Sequence, residues 1–347
     1  MDNAKIINYI ENSFLKDLIN NQNVTDISYN GDSIFYQDNN KGRLKSSIEI
    51  AQKDVYDFIR QIANLSDSQF SYTDPILDIS VDRYRINATH FAFTRKHREK
   101  AVNLSIRLGY NKLRIDEKGD FINPKCIELL EFFIKNNSSI IIGGLTSSGK
   151  TELQKFLISR FRPATRVIVI DNVDELDVDF LNPNIDLQTW LNLDKFKNIN
   201  FDILVKNALR SNPDYLIISE ARGEEMLSIL NSAMSGHPTI TTMHSKDIFS
   251  MYPRMTRMCM LKNQSLNFDE TIIDIYEHFK LIVHVKKELD ANNQIKRYID
   301  SIATNTKGRI KVIYRYPDRF NKLPISLKSD LNIPANEFEK LQGMRTS

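Results

Sequence analysis

Ser139-Ile140-Ile141-Ile142-Gly143-Gly144-Leu145-Thr146-Ser147-Ser148-Gly149-Lys150-Thr151 decides the architecture of the later part of this 347-residue chain. From Gly144 onward it meets every fixed position of the phosphate-binding pattern G-x-x-x-x-G-K-[ST]. The apolar run at 139–142 reads as a buried parallel strand, and the run at 152–158 places Leu153, Phe156 and Leu157 on one helical face. A strand, loop and helix in this order turn successive backbone N–H groups toward phosphate oxygens and add the partial positive charge of a helix N-terminus. Gly144, Thr146, Ser147, Ser148 and Gly149 are therefore candidate cradle residues for the phosphates of ATP. Lys150 is the ammonium that reaches the terminal phosphates, and the Thr151 hydroxyl is a ligand for Mg²⁺. The bland alternative, a structural glycine turn, does not need this strand and helix around it.

Composition narrows the remaining possibilities. The length suits two domains, and a net charge of +3 is too mild to argue for a nucleic-acid protein by itself. Cys126 and Cys259 are the only cysteines, which excludes a disulfide framework and a four-cysteine zinc site. Residues 1–14 lack a basic stretch followed by an apolar core, and no apolar run approaches the roughly 18 to 20 residues needed to span a bilayer. The expectation is a cytoplasmic chain whose membrane contact is peripheral or made through a partner.

Ile7, Ile10, Phe14 and Leu18 recur at helical spacing and predict one amphipathic helix over the first twenty residues. Strands are predicted at 24–29, 34–37 and 43–48, a helix at 54–65 through Val55, Phe58, Ile59 and Ile62, and strands at 84–92 and 102–107. The fold class is accordingly α/β: an α+β N-terminal domain over 1–110, a polar linker at 111–123, and an α/β domain over 124–347. That second domain opens on a helix at 124–134 with Pro124 in its first turn. Arg83, Arg85, Arg95, Lys96, Arg98, Lys100 and Arg107 make the later part of the first domain basic. The segment 94–100 reads equally well as a solvated loop or as a phosphate contact.

Three motifs follow the phosphate loop. The apolar run 167–170 ends in Asp171-Asn172-Val173-Asp174-Glu175-Leu176, so carboxylates leave the carboxyl end of a strand, where open α/β sheets bind ligands. Asp171 and Glu175 are candidate bases there; a solvated acidic loop is the alternative. The run 215–220 is a second buried strand with Glu220 at its tip, followed by Arg222-Gly223 and a helix. A carboxylate so placed can hold Mg²⁺ through its water shell or orient the hydrolytic water. A third strand, 239–244, ends on His244, a candidate sensor of the γ-phosphate or a satisfied structural histidine.

Phosphate loop, acidic box (170–176), Walker B segment (216–220) and histidine box (236–244) occur in the order and approximate spacing of the secretion and traffic ATPases of type II secretion, type IV secretion and type IV pilus systems, which the chain resembles over about residues 7–302. Arg222-Gly223-x-Glu225, Gly236-His237-Pro238, Val24-Thr25-Asp26-Ile27-Ser28-Tyr29-Asn30 and Ser105-Ile106-Arg107 look like the type IV secretion and conjugation branch. Asp171-Asn172 stands where the family has Glu-Asp, Ser219-Glu220 where it has Gly-Glu, and Thr239 where a second glycine is common. The resemblance implies a RecA-like domain in a ring-shaped homo-hexamer and a Mg²⁺-dependent ATPase motor working at a membrane-embedded secretion, conjugation or pilus complex, at the inner face of the cell membrane. It further implies that arginines close the nucleotide site, with Arg107 first, then Arg85, and Arg210 and Arg222 as interface or sensor residues. The alternatives are an ATP-binding scaffold or gate with little turnover, a pilus-retraction-type motor, and a nucleic-acid motor.

Overall fold

The computed structural model describes residues 3–109, 112–115, 120–172, 176, 178–192, 199–306 and 308–343. The chain forms two units, one of Met1–Asn111 with Leu289–Lys296, the other of Lys112–Glu288 with Arg297–Ser347. The second unit is therefore not one continuous stretch, as the expected boundaries had it. Residues Leu289–Lys296 group with the first unit, where the Ile295 amide donates to the Asn40 carbonyl at 2.7 Å.

The first unit contains α1 (Asn3–Glu11), α2 (Lys16–Asn20), β1 (Val24–Tyr29), β2 (Ile34–Asp38), β3 (Gly42–Lys45), α3 (Gln52–Leu65), β4 (Ile76–Val81), β5 (Tyr84–Thr89), β6 (Arg95–Lys96), β7 (Glu99–Lys100) and β8 (Asn103–Leu108). Its main sheet runs β3-β2-β1-β8-β5-β4 with each neighbouring pair antiparallel. Ile6 and Ile10 of α1 and Val55, Phe58, Ile59 and Ile62 of α3 share one core with Ile27, Ile86 and Ile106 of the strands. The single N-terminal helix expected from spacing is two helices. The Ser13 hydroxyl donates to the Ile10 carbonyl at 2.7 Å and accepts the Leu15 amide at 3.2 Å, offering the backbone an alternative to the helical ladder. Ser46 ends β3 short of residue 48 in the same way, its hydroxyl accepting the Ile48 amide. The segment 94–100 is a small hairpin, β6–β7, whose turn residues His97 and Arg98 both have positive φ.

The second unit contains α4 (Pro124–Lys135), β9 (Ile140–Gly144), α5 (Lys150–Ile158), β10 (Arg166–Asp171), β11 (Asp186–Leu191), α6 (Phe201–Arg210), β12 (Tyr215–Ala221), α7 (Glu225–Met234), β13 (Thr239–His244), α8 (Met251–Lys262), α9 (Phe268–His278), all but the last residue of β14 (Leu281–Leu289), all but the first two residues of β15 (Ile295–Thr306), β16 (Arg309–Arg315), β17 (Arg319–Phe320), α10 (Ser326–Asp330) and α11 (Ala335–Gly343). The sheet order among the described residues is β11-β10-β12-β13-β9-β14-β15-β16-β17, parallel from β11 to β14 and antiparallel from β15 to β17. Strands buried on both faces have no polar side to show, which is why β9, β10 and β12 read as unbroken apolar runs. Ile140, Ile142, Val167, Val169 and Ile217 pack under α4 and α5, while Ile141, Ile168, Ile170, Leu216 and Ile218 pack under α6, α7, α8 and α9. No helix among the described residues is long and apolar enough to cross a membrane.

One polar pair lies inside this sheet. His284 of β14 is buried with its Nδ1 3.5 Å from the Asp300 carboxylate of β15. His284 first, then Ser301 and Lys286, hold the Asp300 carboxyl down to about 2 against the opposing effect of burial. A depressed carboxyl pKa contributes stability that is present above the unfolded value and is lost as pH falls through the folded one. Asp300→Asn is therefore expected to cost about 2 kcal/mol at pH 7. The difference from wild type should shrink below about pH 4 and close near pH 2, measured as urea unfolding free energy across that range.

Candidate functional site

Four adjacent strands, β10, β12, β13 and β9, deliver Asp171, Glu220, His244 and Gly144 to one edge of the sheet, since all four run parallel and all four residues lie at or next to the strands' carboxyl ends. Register fixes the pairing of the last two, with His244 opposite Gly144. Gly144 must be glycine there, because a Cβ would come within 2.5 Å of the Val285 carbonyl and 2.6 Å of the Ser148 hydroxyl. The loop then turns over the exposed Leu145 and Thr146 to Ser147, which has φ +59, and Gly149, which has φ +100 and begins α5. Ser148 is buried, its hydroxyl donating to the Leu145 carbonyl at 2.8 Å.

Lys150 stands in the first turn of α5 and is only 8% exposed. Its ammonium donates to the Gly144 and Leu145 carbonyls at 3.2 and 3.1 Å and lies 3.4 Å from His244 Nδ1. The first helical turn and the loop carbonyls enclose it. Burial lowers its pKa, and the Glu220 carboxylate opposes that shift. His244 in turn places Nε2 2.9 Å from Glu220 Oε1, and Arg222 Nε donates to Glu220 Oε2 at 2.7 Å. Lys150, His244, Glu220 and Arg222 thus form one chain of polar contacts. The imidazole pKa is lowered by burial first and then by the Lys150 ammonium, which outweigh Glu220. At neutral pH the ring is the neutral form, and the tautomer assigned by its partners accepts from Lys150 at Nδ1 and donates to Glu220 from Nε2.

Glu220 is held in place by residues that spacing did not single out. The β12–β13 pairing shifts register between Ile218 and Ala221, which leaves strand carbonyls in need of donors. Gln154, one turn beyond Lys150 on α5, donates to the Ile218 carbonyl at 2.8 Å and the Ile240 carbonyl at 3.3 Å, while the Thr242 hydroxyl donates to the Ser219 carbonyl at 2.8 Å. Two of the three departures from the family pattern meet here, for the Asn172 amide donates to the Ser219 hydroxyl at 3.3 Å.

The other expected residues are placed as follows. Asp171 ends β10 with no exposed surface, and its carboxylate accepts the Leu176 amide at 2.9 Å. Glu175 lies outside the described residues. Thr151 follows Lys150 in α5, half-buried. Arg85 and Arg107 belong to the first unit, directly opposite each other on β5 and β8, with Arg107 paired to Asp26 at 3.3 Å. Arg210, expected from the resemblance as an interface or sensor residue, is exposed at the end of α6; the next residue, Ser211, carries the carbonyl that Arg166 at the start of β10 contacts. Within one chain it stands at the opposite edge of the sheet, because the chain has yet to run the length of β12 to reach Glu220. Two basic residues that the sequence reading missed flank the loop. Arg297 Nε donates to the Ser147 carbonyl at 2.8 Å, and the Arg114 guanidinium is close enough to help depress the Arg297 pKa, after burial.

A parallel sheet with a phosphate loop at its carboxyl edge, backed by an acid and a histidine from neighbouring strands, defines a phosphate-loop α/β protein. The family described as type II/IV secretion system protein matches residues 99–312, and the chain belongs to it. An uncharacterized protein of Bacillus anthracis is 29% identical over 300 residues, covering 84% of this chain and 63% of that protein. The type IV secretion system protein VirB11 of Bartonella quintana is 30% identical over 138 residues, 39% of this chain and 38% of that one. The chain thus matches less than two thirds of the length of either relative. Among solved structures, the Legionella pneumophila ATPase DotB superposes with a TM-score of 0.59 at 18% identity, covering 88% of this chain and 82% of that one, a likeness of fold.

Proposed function

We propose that the chain is a Mg²⁺-dependent ATPase that works as a homo-hexameric ring at the inner face of a membrane-embedded complex for secretion, conjugal transfer or pilus-type assembly. The observation that carries this reading is the contact chain Lys150–His244–Glu220–Arg222 at the mouth of the phosphate loop. Phosphate oxygens compete with the Gly144 and Leu145 carbonyls for the Lys150 ammonium, and a charged acceptor makes the stronger hydrogen bond. Repositioning of Lys150 is felt by His244 at Nδ1 and, through Nε2, by Glu220, which orients the attacking water and takes up its proton. The donor set suits a magnesium ion that arrives with the nucleotide. The Thr151 hydroxyl would take one position, and Glu220, whose two oxygens already accept from His244 and Arg222, would act through a water. That ion would neutralise charge on the transferred phosphoryl group.

Arg85 and Arg107 are the arginines we assign to closing the phosphates in the assembled ring. The Arg107 side chain is half exposed and its ion pair with Asp26 is a surface one, so Arg107→Ala should leave folding largely unaffected. We expect kcat to fall more than nucleotide affinity, because the interaction is made in the transition state. The test of the whole reading is ATP turnover and particle size recorded together, with and without Mg²⁺-ATP. Activity per chain should rise with protein concentration as rings form. Full activity in a demonstrated monomer would remove the ring.

A second reading, a nucleotide-gated scaffold with little turnover, is favoured by Asp171, whose buried carboxylate is committed to the Leu176 amide. Nucleotide-dependent assembly without steady-state phosphate release would select it.

A further inference from the structure

We propose that Arg297 is a positioning residue for the phosphate loop, its Nε–H holding the Ser147 carbonyl so that the following amide faces the incoming phosphates. This inference rests on the nucleotide reading above. Ser147 has φ +59, a conformation an L-serine seldom keeps without outside support. The support comes from β15, 150 positions along the chain, where Arg297 Nε lies 2.8 Å from the Ser147 carbonyl oxygen. In a trans peptide the C=O and the next N–H point in opposite directions. Fixing the Ser147 carbonyl toward Arg297 therefore turns the Ser148 N–H away from it. That N–H makes a long 3.3 Å contact with the Leu145 carbonyl, one that a phosphate oxygen can take over.

The same strand supports the loop at a second point. The Ile299 amide, two residues beyond Arg297, donates to the Phe121 carbonyl at 2.9 Å. The Phe121 ring closes off Gly149, whose added Cβ would come within 2.7 Å of the ring carbon Cε2. β15 thus braces both residues of the loop that hold positive φ. Burial and the neighbouring Arg114 depress the Arg297 pKa, and Lys287 is lowered by burial and then by Arg297. A guanidinium stays charged in such surroundings, so its charge acting directly on phosphate is the rival account.

Two substitutions in the full-length chain separate the hydrogen bond from the charge. Arg297→Met keeps the side chain out to the position of Nε without a donor. Arg297→Gln places an amide nitrogen the same number of bonds from Cα as Arg Nε, without the charge. Each is titrated with a fluorescent ADP analogue, assayed for steady-state ATP turnover and melted. Arg297→Met is expected to weaken Kd and raise KM about tenfold with kcat within about threefold of wild type, while Arg297→Gln stays within about threefold throughout. Wild-type affinity in Arg297→Met overturns the proposal. So does an equal loss in both variants, which would assign the effect to charge. If Arg297→Met does not fold, Arg297→Gln alone decides, a tenfold loss overturning the proposal. A wild-type chain that binds no nucleotide removes the nucleotide reading itself, a result distinct from any difference between variants.

Discussion

Glu220→Gln is expected to leave nucleotide binding in place while ATP turnover falls by about a hundredfold or more. The glutamine keeps the shape of the side chain and one acceptor oxygen, so either His244 Nε2 or Arg222 Nε retains its partner. What disappears is the negative charge at the end of the contact chain and the capacity to accept a proton. Binding is spared because the loop amides and Lys150 do not depend on Glu220 for position; the network that sets β12 runs through Gln154 and Thr242. Fluorescent-nucleotide titration beside phosphate release checks both halves. Unchanged turnover would move the catalytic base elsewhere, with Asp171 and Glu175 next to be tested.

Lys150→Ala should lower nucleotide affinity by about a hundredfold or more, the loss of a charge-assisted contact to the terminal phosphates. The buried position of Lys150 raises the question whether such a loss would come from misfolding. Its lowered pKa answers it, since a cation whose charged form is penalised by burial does not favour folding through that charge. Removing it relieves the cost of desolvation while leaving the Gly144 and Leu145 carbonyls short of one donor. These effects oppose each other, and the melting temperature without nucleotide should move by no more than a few degrees. Unchanged ATP turnover in this variant would remove the phosphate-loop assignment. A large fall in melting temperature would mean that Lys150 works as a structural brace.

Much of this site could be read from the sequence because its parts obey local rules. Gly144 and Gly149 mark the loop, Lys150 opens a helix, and Glu220 and His244 end apolar runs that only a doubly covered parallel sheet explains. Gln154 was also within reach, sitting one helical turn after Lys150 on a face otherwise given to Leu153 and Leu157. Arg297 was not. Its contact with Ser147 spans 150 positions and depends on how β15 extends the sheet, which no periodicity encodes. Arg210 is a different case: it was expected from the resemblance alone as an interface or sensor residue, and within one chain a helix end and a full strand separate it from Glu220. In the first unit, β4 carried a clean alternation of Leu77, Ile79 and Val81 that was overlooked, and Ser13 broke a helix that apolar spacing alone made continuous. Short hydroxyl-to-backbone bonds of that kind leave no periodic trace.

The assignment of Leu289–Lys296 to the first unit bears on how this protein can be dissected. The backbone passes between units after Asn111, after Glu288 and after Lys296, so no single scission parts them. A fragment beginning at Pro124 would carry a hairpin tip stripped of Asn40, the acceptor of the Ile295 amide, and would present that bare backbone edge to solvent or to other copies. Aggregation or low activity in such a fragment would report the orphaned tip as much as the loss of a partner domain. A clean excision joins Glu288 to Arg297 through a short turn as well as removing the front of the chain, and limited proteolysis should release two separable bodies only after cutting at all three crossings.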